Sequence, residues 1–292
     1  MRARDGRQLV RAMETPPCRT HFAVQHGTTR YTGTMETPKT YDIAVRATLN
    51  QYDKAARELA EHLGVPYLAP DASETPAATL LTIDEAGMAL VSDGMTMRVD
   101  LGHLARRLHP SKVHRELLVR AAKLKGVADP VALDATAGLG EDAMLLAAAG
   151  FTVYAYEANP IIAALLADTI ARAAKDPACA QAAERLHVIE GDSIQALAEG
   201  RHAPDVVYLD PMFPERTKSA AVKKKFQLLH HLERPCENQD ELLQAALAAH
   251  PRKVVIKRPV KGPYLAERKP SYSLSGKAVR YDCIALPSAV AE

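Results

Sequence analysis

The chain contains no tryptophan and only four phenylalanines among 292 residues, so the 47% of it that is hydrophobic must form a core that is mostly aliphatic. Cysteine is equally sparse. Cys18, Cys179, Cys236 and Cys283 are widely scattered, with no C-x-x-C pair and no histidine spacing suited to zinc. That excludes a disulfide framework and a zinc module, and leaves a reduced cytoplasmic compartment and no metal as the expectation. No apolar run approaches the roughly 18 residues needed to span a bilayer, and MRARDGRQLVRAMETPPC lacks the apolar segment of a signal peptide. No membrane partner is expected. Excess charge is missing too: 37 Lys and Arg against 35 Asp and Glu leave a formal net charge of +2. A nucleic-acid surface would have to come from local clusters rather than from overall balance.

What the chain does have is alternation. Residues 1–36 are polar and aperiodic and read as a disordered leader, with 37–105 a small N-terminal α+β domain. Within it, TLNQYDKAARELAEHL (48–63) has helical spacing and stops at Gly64. Three short strand-like runs, at 79–84, 88–92 and 95–101, are separated by Gly87 and Asp93-Gly94 and predict an antiparallel meander. Residues 106–130 form a basic connector and a helix beginning near Ser111, the expected N-cap; its positive flank reads slightly better as a solvated face than as a nucleic-acid contact. From residue 131 to 292 strand and helix alternate, the pattern of a doubly wound, mostly parallel α/β sheet. KAVRYDCIAL (277–286) has no helix after it and predicts an edge or antiparallel strand.

DATAGLGEDA (134–143) places Gly138 and Gly140 directly after a strand and at the start of a helix. Glycines there allow a tight turn and close approach of a ligand to free N–H groups. Glu157, ending the next strand, is placed to accept both hydrogen bonds of a ribose diol, so a nucleoside-bearing cofactor is expected. Asp134, Glu141 and Asp142 argue against a pyrophosphate and for a cationic ligand such as S-adenosylmethionine, although Asp142 alone is explained by helix-dipole complementation. Asp192 and Ser193 in IEGDS suit a helix cap and an acceptor for an adenine amine about equally.

DVVYLDPMFPERTKSAAVKKK (205–225) holds the most chemistry. Asp210 closes a strand at the sheet edge where open α/β folds bind ligands, Pro211 and Pro214 stiffen the loop, and Phe213 offers an aromatic face. Asp-Pro-x-aromatic is close to the loop of methyltransferases that act on exocyclic or amide nitrogens. There an acceptor and a backbone carbonyl hold the N–H groups of an sp2 amine, and the ring stacks on a flipped base. A proline-rich strand cap is the bland alternative, and for these four residues alone it weighs about the same. His230 and His231 have no partner spacing for a metal.

Taken together, DATAGLGEDA, YEANPIIAALLAD, GDS, VVYLDPMFPERTKSAAVKKK, VVIKRP and KAVRYD resemble the bacterial ribosomal RNA small subunit methyltransferase J family over about residues 40–286. The resemblance implies a Rossmann-like class I methyltransferase with an antiparallel late strand. It also implies S-adenosylmethionine as cofactor, 16S ribosomal RNA or the small subunit as partner, and methylation of a guanine N2. By that family's pattern cofactor contacts fall on Glu141, Asp142, Glu157, Ala158, Asp192, Ser193 and Asp210, beside Asp134, Gly138 and Gly140 of the turn. Asp210 would hold the amine with the Pro211 carbonyl as second acceptor, and Phe213 would stack on the base. Arg216, Lys218, Lys223, Lys224, Lys225, Lys257 and Arg258 would meet RNA phosphates. Another RNA, DNA or protein amide as target, an NAD-dependent oxidoreductase, and a catalytically idle RNA-binding module are the competing readings.

Overall fold

The computed structural model describes residues 42–73, 77–211, 232 and 238–287. The leader read at 1–36 and the basic half of the 205–225 stretch lie outside the described residues. The chain begins with strand β1 (Ile43–Ala47), helix α1 (Asp53–Leu63) and the short strand β2 (Tyr67–Leu68). Gly64, left-handed at φ 64°, ends α1, which buries Ala56, Leu59 and Ala60. Strands β3 (Thr79–Asp84), β4 (Gly87–Ser92) and β5 (Met95–Met97) follow. Asp93 and Gly94 both take positive φ, the turn that matches the twist of paired strands.

These strands form one sheet in the order β2-β1-β3-β4-β5. The meander expected from the sequence is there in β3, β4 and β5, but the sheet is mixed. The unpredicted β1 lies parallel to both β2 and β3, with α1 as the crossover. The expected helix from Ser111 is also corrected. The connector breaks into α2 (Ala105–Leu108), α3 (Pro110–Val113) and α4 (Leu117–Ala122). The cap of α3 is His109, whose ring nitrogen accepts the Ser111 N–H at 3.3 Å, and Pro110 takes the first helical position where its missing N–H costs nothing. Most of α4 is buried, and the Lys253 ammonium closes its end by donating to the carbonyls of Ala121 (2.8 Å) and Lys123 (2.7 Å).

The second sheet is built from β6 (Val131–Asp134), β7 (Thr152–Glu157), β8 (Leu186–Glu190), β9 (Val206–Leu209), β10 (Lys253–Pro259), β11 (Tyr272–Ser275) and β12 (Val279–Ala285). Its order is β8-β7-β6-β9-β10-β12-β11. Strands β6 to β10 are parallel, and the order reverses direction between β6 and β9, where doubly wound sheets open a ligand crevice at their carboxyl ends. The late strand β12 is antiparallel to β10, as the sequence predicts, but the edge position belongs to β11. Helices α5 (Glu141–Ala148), α6 (Pro160–Ala173), α7 (Ala180–Ala183), α8 (Ser193–Ala198) and α9 (Gln239–Ala248) cover the sheet. One face packs α4, α5 and α7, the other α8 and α9. Among the described residues no helix is long and apolar enough to cross a membrane.

Helix α6 belongs to two cores. Leu166, Ile170 and Ala173 pack on the large sheet, while Ile161, Ile162, Ala164 and Leu165 join the core of the small one, together with Leu139 of the glycine turn. Each fully buried Leu or Ile is worth about 1.5–3 kcal/mol, so apolar burial dominates the joint. Polar contacts set its register. Asp168 accepts the Met88 N–H at 3.0 Å and the Arg172 Nε–H at 2.8 Å, and Arg172 also donates to the Val99 carbonyl at 2.6 Å. Gly87 is required there, because a Cβ would stand 2.6 Å from Arg172 Nε. Asp168→Ala is expected to lower unfolding free energy by about 1–3 kcal/mol, the cost of leaving half-buried partners unsatisfied, while the apolar core keeps the fold. Urea denaturation followed by far-UV circular dichroism measures it.

Candidate active site

The glycine turn is shaped by its conformation and by Glu157. Gly138 and Gly140 take φ of 52° and 81°, and Gly140 is the left-handed cap of α5. A Cβ at Gly140 would stand 2.5 Å from Leu166 Cδ1, so glycine is demanded by space as well as by angle. The Glu157 carboxylate accepts the Gly138 N–H at 3.0 Å with one oxygen and the Asn159 N–H at 2.8 Å with the other. It therefore ties the turn to the end of β7. Ala158 is exposed beside it. Asp192 caps α8 by accepting the Ile194 N–H at 2.8 Å and stays exposed, whereas Ser193 is buried. The cap is real, and it occupies only one of the carboxylate's oxygens.

The carboxyl ends of β6, β9 and β10 carry a cluster of charge. Asp134 is 1% exposed and accepts the Thr136 N–H at 3.1 Å. Burial pushes its pKa well above the ordinary carboxylate range. Thr136 in turn accepts the Asp210 N–H through Oγ1 at 2.7 Å, which ties the end of β9 to the glycine turn. Lys257 Nζ sits 2.8 Å from Asp210 Oδ2 and 2.7 Å from Asp142 Oδ2, and the Tyr208 hydroxyl donates to the same Asp142 oxygen at 2.6 Å. Burial raises the Asp210 pKa and the Lys257 ammonium opposes the rise. For Lys257, burial would lower the pKa, but Asp142 and Asp210 together outweigh it and hold the ammonium charged. Tyr208 and Tyr281, buried around the cluster, are both pushed up by burial and stay neutral.

The structure thus brings Asp134, Gly138, Gly140, Asp142, Glu157 and Asp210 to one sheet edge around the point where strand order reverses. Glu141 is exposed on the first turn of α5, with its carboxylate 3.4 Å from His103 Nε2. Pro211 is buried. Two of the expected phosphate contacts are corrected. Lys257 is consumed by carboxylates, and Arg258 is 1% exposed, with its Nε–H donated to the Pro263 carbonyl at 2.8 Å. A strand alternates its side chains, and neither face of β10 at this point meets solvent freely. Phe213, Arg216, Lys218, Lys223, Lys224 and Lys225 lie outside the described residues. Thr136, Tyr208 and the bridging role of Lys257 were not legible as site features. The available signal was a lysine interrupting the apolar run VVI at the carboxyl end of a strand. Among the described residues no group of three or more His, Cys, Asp or Glu side chains is placed to hold a metal.

Comparison with known proteins agrees with this geometry. A family model described as a SAM-dependent methyltransferase matches residues 72–285. The chain is 39% identical over 247 residues to the ribosomal RNA small subunit methyltransferase J of Thioalkalivibrio sulfidiphilus, covering 82% of this chain and 96% of that protein. It is 41% identical over 234 residues to the protein of the same name from Nitrosococcus oceani, covering 78% and 92%. A crystal structure of a SAM-dependent methyltransferase from Neisseria gonorrhoeae superposes with a TM-score of 0.64 at 30% identity, covering 84% of this chain and 97% of that one.

The buried Asp134 makes a signed prediction. A carboxyl whose folded pKa is raised favours folding at low pH, and that contribution is lost as pH rises through the folded value. Asp134→Asn keeps the acceptor for the Thr136 N–H and removes the buried charge. The ligand-free variant is expected to melt higher than the parent at pH 8, with the gap closing as pH falls toward 4. Differential scanning calorimetry across that range checks it.

Proposed function

The chain belongs to the ribosomal RNA small subunit methyltransferase J family and is an S-adenosylmethionine-dependent methyltransferase, and we propose that its acceptor is the exocyclic N2 of a guanosine in 16S ribosomal RNA. The observation that carries the reading is the carboxylate of Asp210, held beside the glycine turn by Thr136 and Lys257. The donor set suits the cofactor. Two carboxylates share one ammonium at the carboxyl edge, with the Asp134 carboxyl buried beside them, so a cationic sulfonium improves the local charge balance where a pyrophosphate would worsen it. Glu157 is the acceptor for a ribose diol, Asp192 for the adenine amine, and the N–H groups of the glycine turn border the remainder. Glu141, Ala158 and Ser193 flank that path.

The bound cofactor supplies an already activated methyl group, which leaves the protein to position, desolvate and remove a proton. In this account Lys257 holds Oδ2 of Asp210 and leaves Oδ1 for an N–H of the guanine amine. The Pro211 carbonyl takes the second N–H, and Phe213 stacks on the base. As the new N–C bond forms, the nitrogen becomes acidic and its proton passes to Asp210. Lys257 opposes the rise that burial causes in the Asp210 pKa and so favours its carboxylate form. Cations of the 216–225 segment meet phosphate. Residues 131–292 carry the chemistry, and the N-terminal unit of 37–105, joined through the 106–130 connector, rests on α6.

Asp210→Ala is expected to reduce methyl transfer to unmodified 16S RNA by at least about 10²–10³-fold without unfolding the protein, and wild-type-like turnover would sink the assignment. Lys257→Met removes the group that lowers the Asp210 pKa. The acid limb of its kcat–pH profile is therefore expected to move to higher pH, and Lys257→Arg to restore much of the original profile.

A further inference from the structure

Past the end of β10, at the same sheet edge as Asp210, the chain turns through Val260 to Tyr264 in a loop whose carbonyls are held by two buried arginines. Arg280, 8% exposed, donates through Nη1 to the carbonyls of Val260 (2.9 Å) and Gly262 (2.8 Å), while its Nε and Nη2 grip both oxygens of Asp282 at 2.9–3.1 Å. Arg258 donates to Pro263 at 2.8 Å. Pro263 fixes its own backbone angle, and Leu265, 1% exposed, plugs the far end of the loop into the core beside α9. Between these two anchors stands Tyr264. Its ring lies 4.9 Å from the Arg280 guanidinium, yet 40% of the residue remains open to solvent.

A lone exposed tyrosine on a protein surface calls for no explanation. This one differs in being immobilised on both sides and from below, and in its neighbours. Lys261, Arg268 and Lys269 flank it along the chain, are exposed and form no ion pair with a described residue. An anchored aromatic face with exposed cations close to it along the chain is what a single-stranded nucleic acid needs: a platform for a base and charges for the adjoining phosphates. The ring is already ordered, so little conformational entropy is lost when a base lands on it.

We propose that Tyr264 is a stacking platform for a nucleobase of the RNA flanking the methylated guanosine, with Lys261, Arg268 and Lys269 facing its backbone. The proposal rests on the function read above, and its test separates the two. The chain has no tryptophan, so Tyr264→Trp creates a single indole reporter at the platform. Its emission is expected to be quenched on titration with unmodified 16S RNA. Tyr264→Ala is expected to raise KM for that RNA about tenfold, the order of one lost base stack, with S-adenosylmethionine affinity unchanged, while Tyr264→Phe keeps the parental KM. An alanine variant with parental KM, or an indole indifferent to RNA that the enzyme methylates, overturns the platform. A parent protein that methylates no RNA overturns the function reading instead. If the alanine variant fails to fold, the Trp and Phe variants still decide.

Discussion

A single ammonium held between two carboxylates, with a third buried beside them, sets the terms for the rest of the catalytic edge. Lys257 reaches Asp142 on α5 and Asp210 after β9 at once, so the helix that opens from the glycine turn and the end of β9 share one cation. Desolvation works against the charges of Asp134, Asp210 and Lys257, and the Lys257 ammonium opposes the rise that burial causes at Asp210. Without ligand the cluster is short of positive charge. A cationic cofactor answers that shortage, which is a physical reason for this family's chemistry to sit on this edge and for Asp134 to be kept despite its cost in the empty protein.

The sheet makes the cluster possible. β6 and β9 are neighbours in space though far apart in sequence, and their register sets Asp134 opposite Tyr208, with Asp210 just beyond. β10 lies parallel to β9 on the other side and delivers Lys257. The same strand then hands its loop to Arg280 of the antiparallel β12, so Lys257 and the loop that carries Tyr264 follow from one strand. On the opposite flank the small sheet packs on α6 and touches the glycine turn through Leu139. Its contribution to the site is to buttress α6 and that turn, mostly by apolar burial.

Much of this was readable from the amino acids, for reasons that are local. Strand-to-helix alternation after residue 131, the positive-φ glycines and the acidic strand ends are patterns of neighbours along the chain, and among the described residues they match the structure. The short strands β1, β2 and β11 were not readable. IAVRA, YL and YSLS are too brief to show a period, and only their partners make them strands. The basic connector misled in a related way. Its basic residues hide the apolar run LLVRAA, and α4 is buried because β10 and β12 lie against it. Lys257 and Arg258 were read as phosphate contacts because a cation near a nucleic-acid site looks alike whether it faces solvent or a carboxylate. Only the fold shows that Asp142 and Pro263 had already claimed them.

Methylation of guanine N2 in small-subunit ribosomal RNA by this edge, as proposed above, is open to direct test. The most direct measurement incubates the purified protein with isotopically methyl-labelled S-adenosylmethionine and unmodified 16S RNA, in naked and subunit-assembled form, followed by digestion and nucleoside mass spectrometry. The account predicts label in N2-methylguanosine from at least one of the two substrates. Label confined to another nucleoside, or none in either substrate while the protein binds the cofactor, would contradict it.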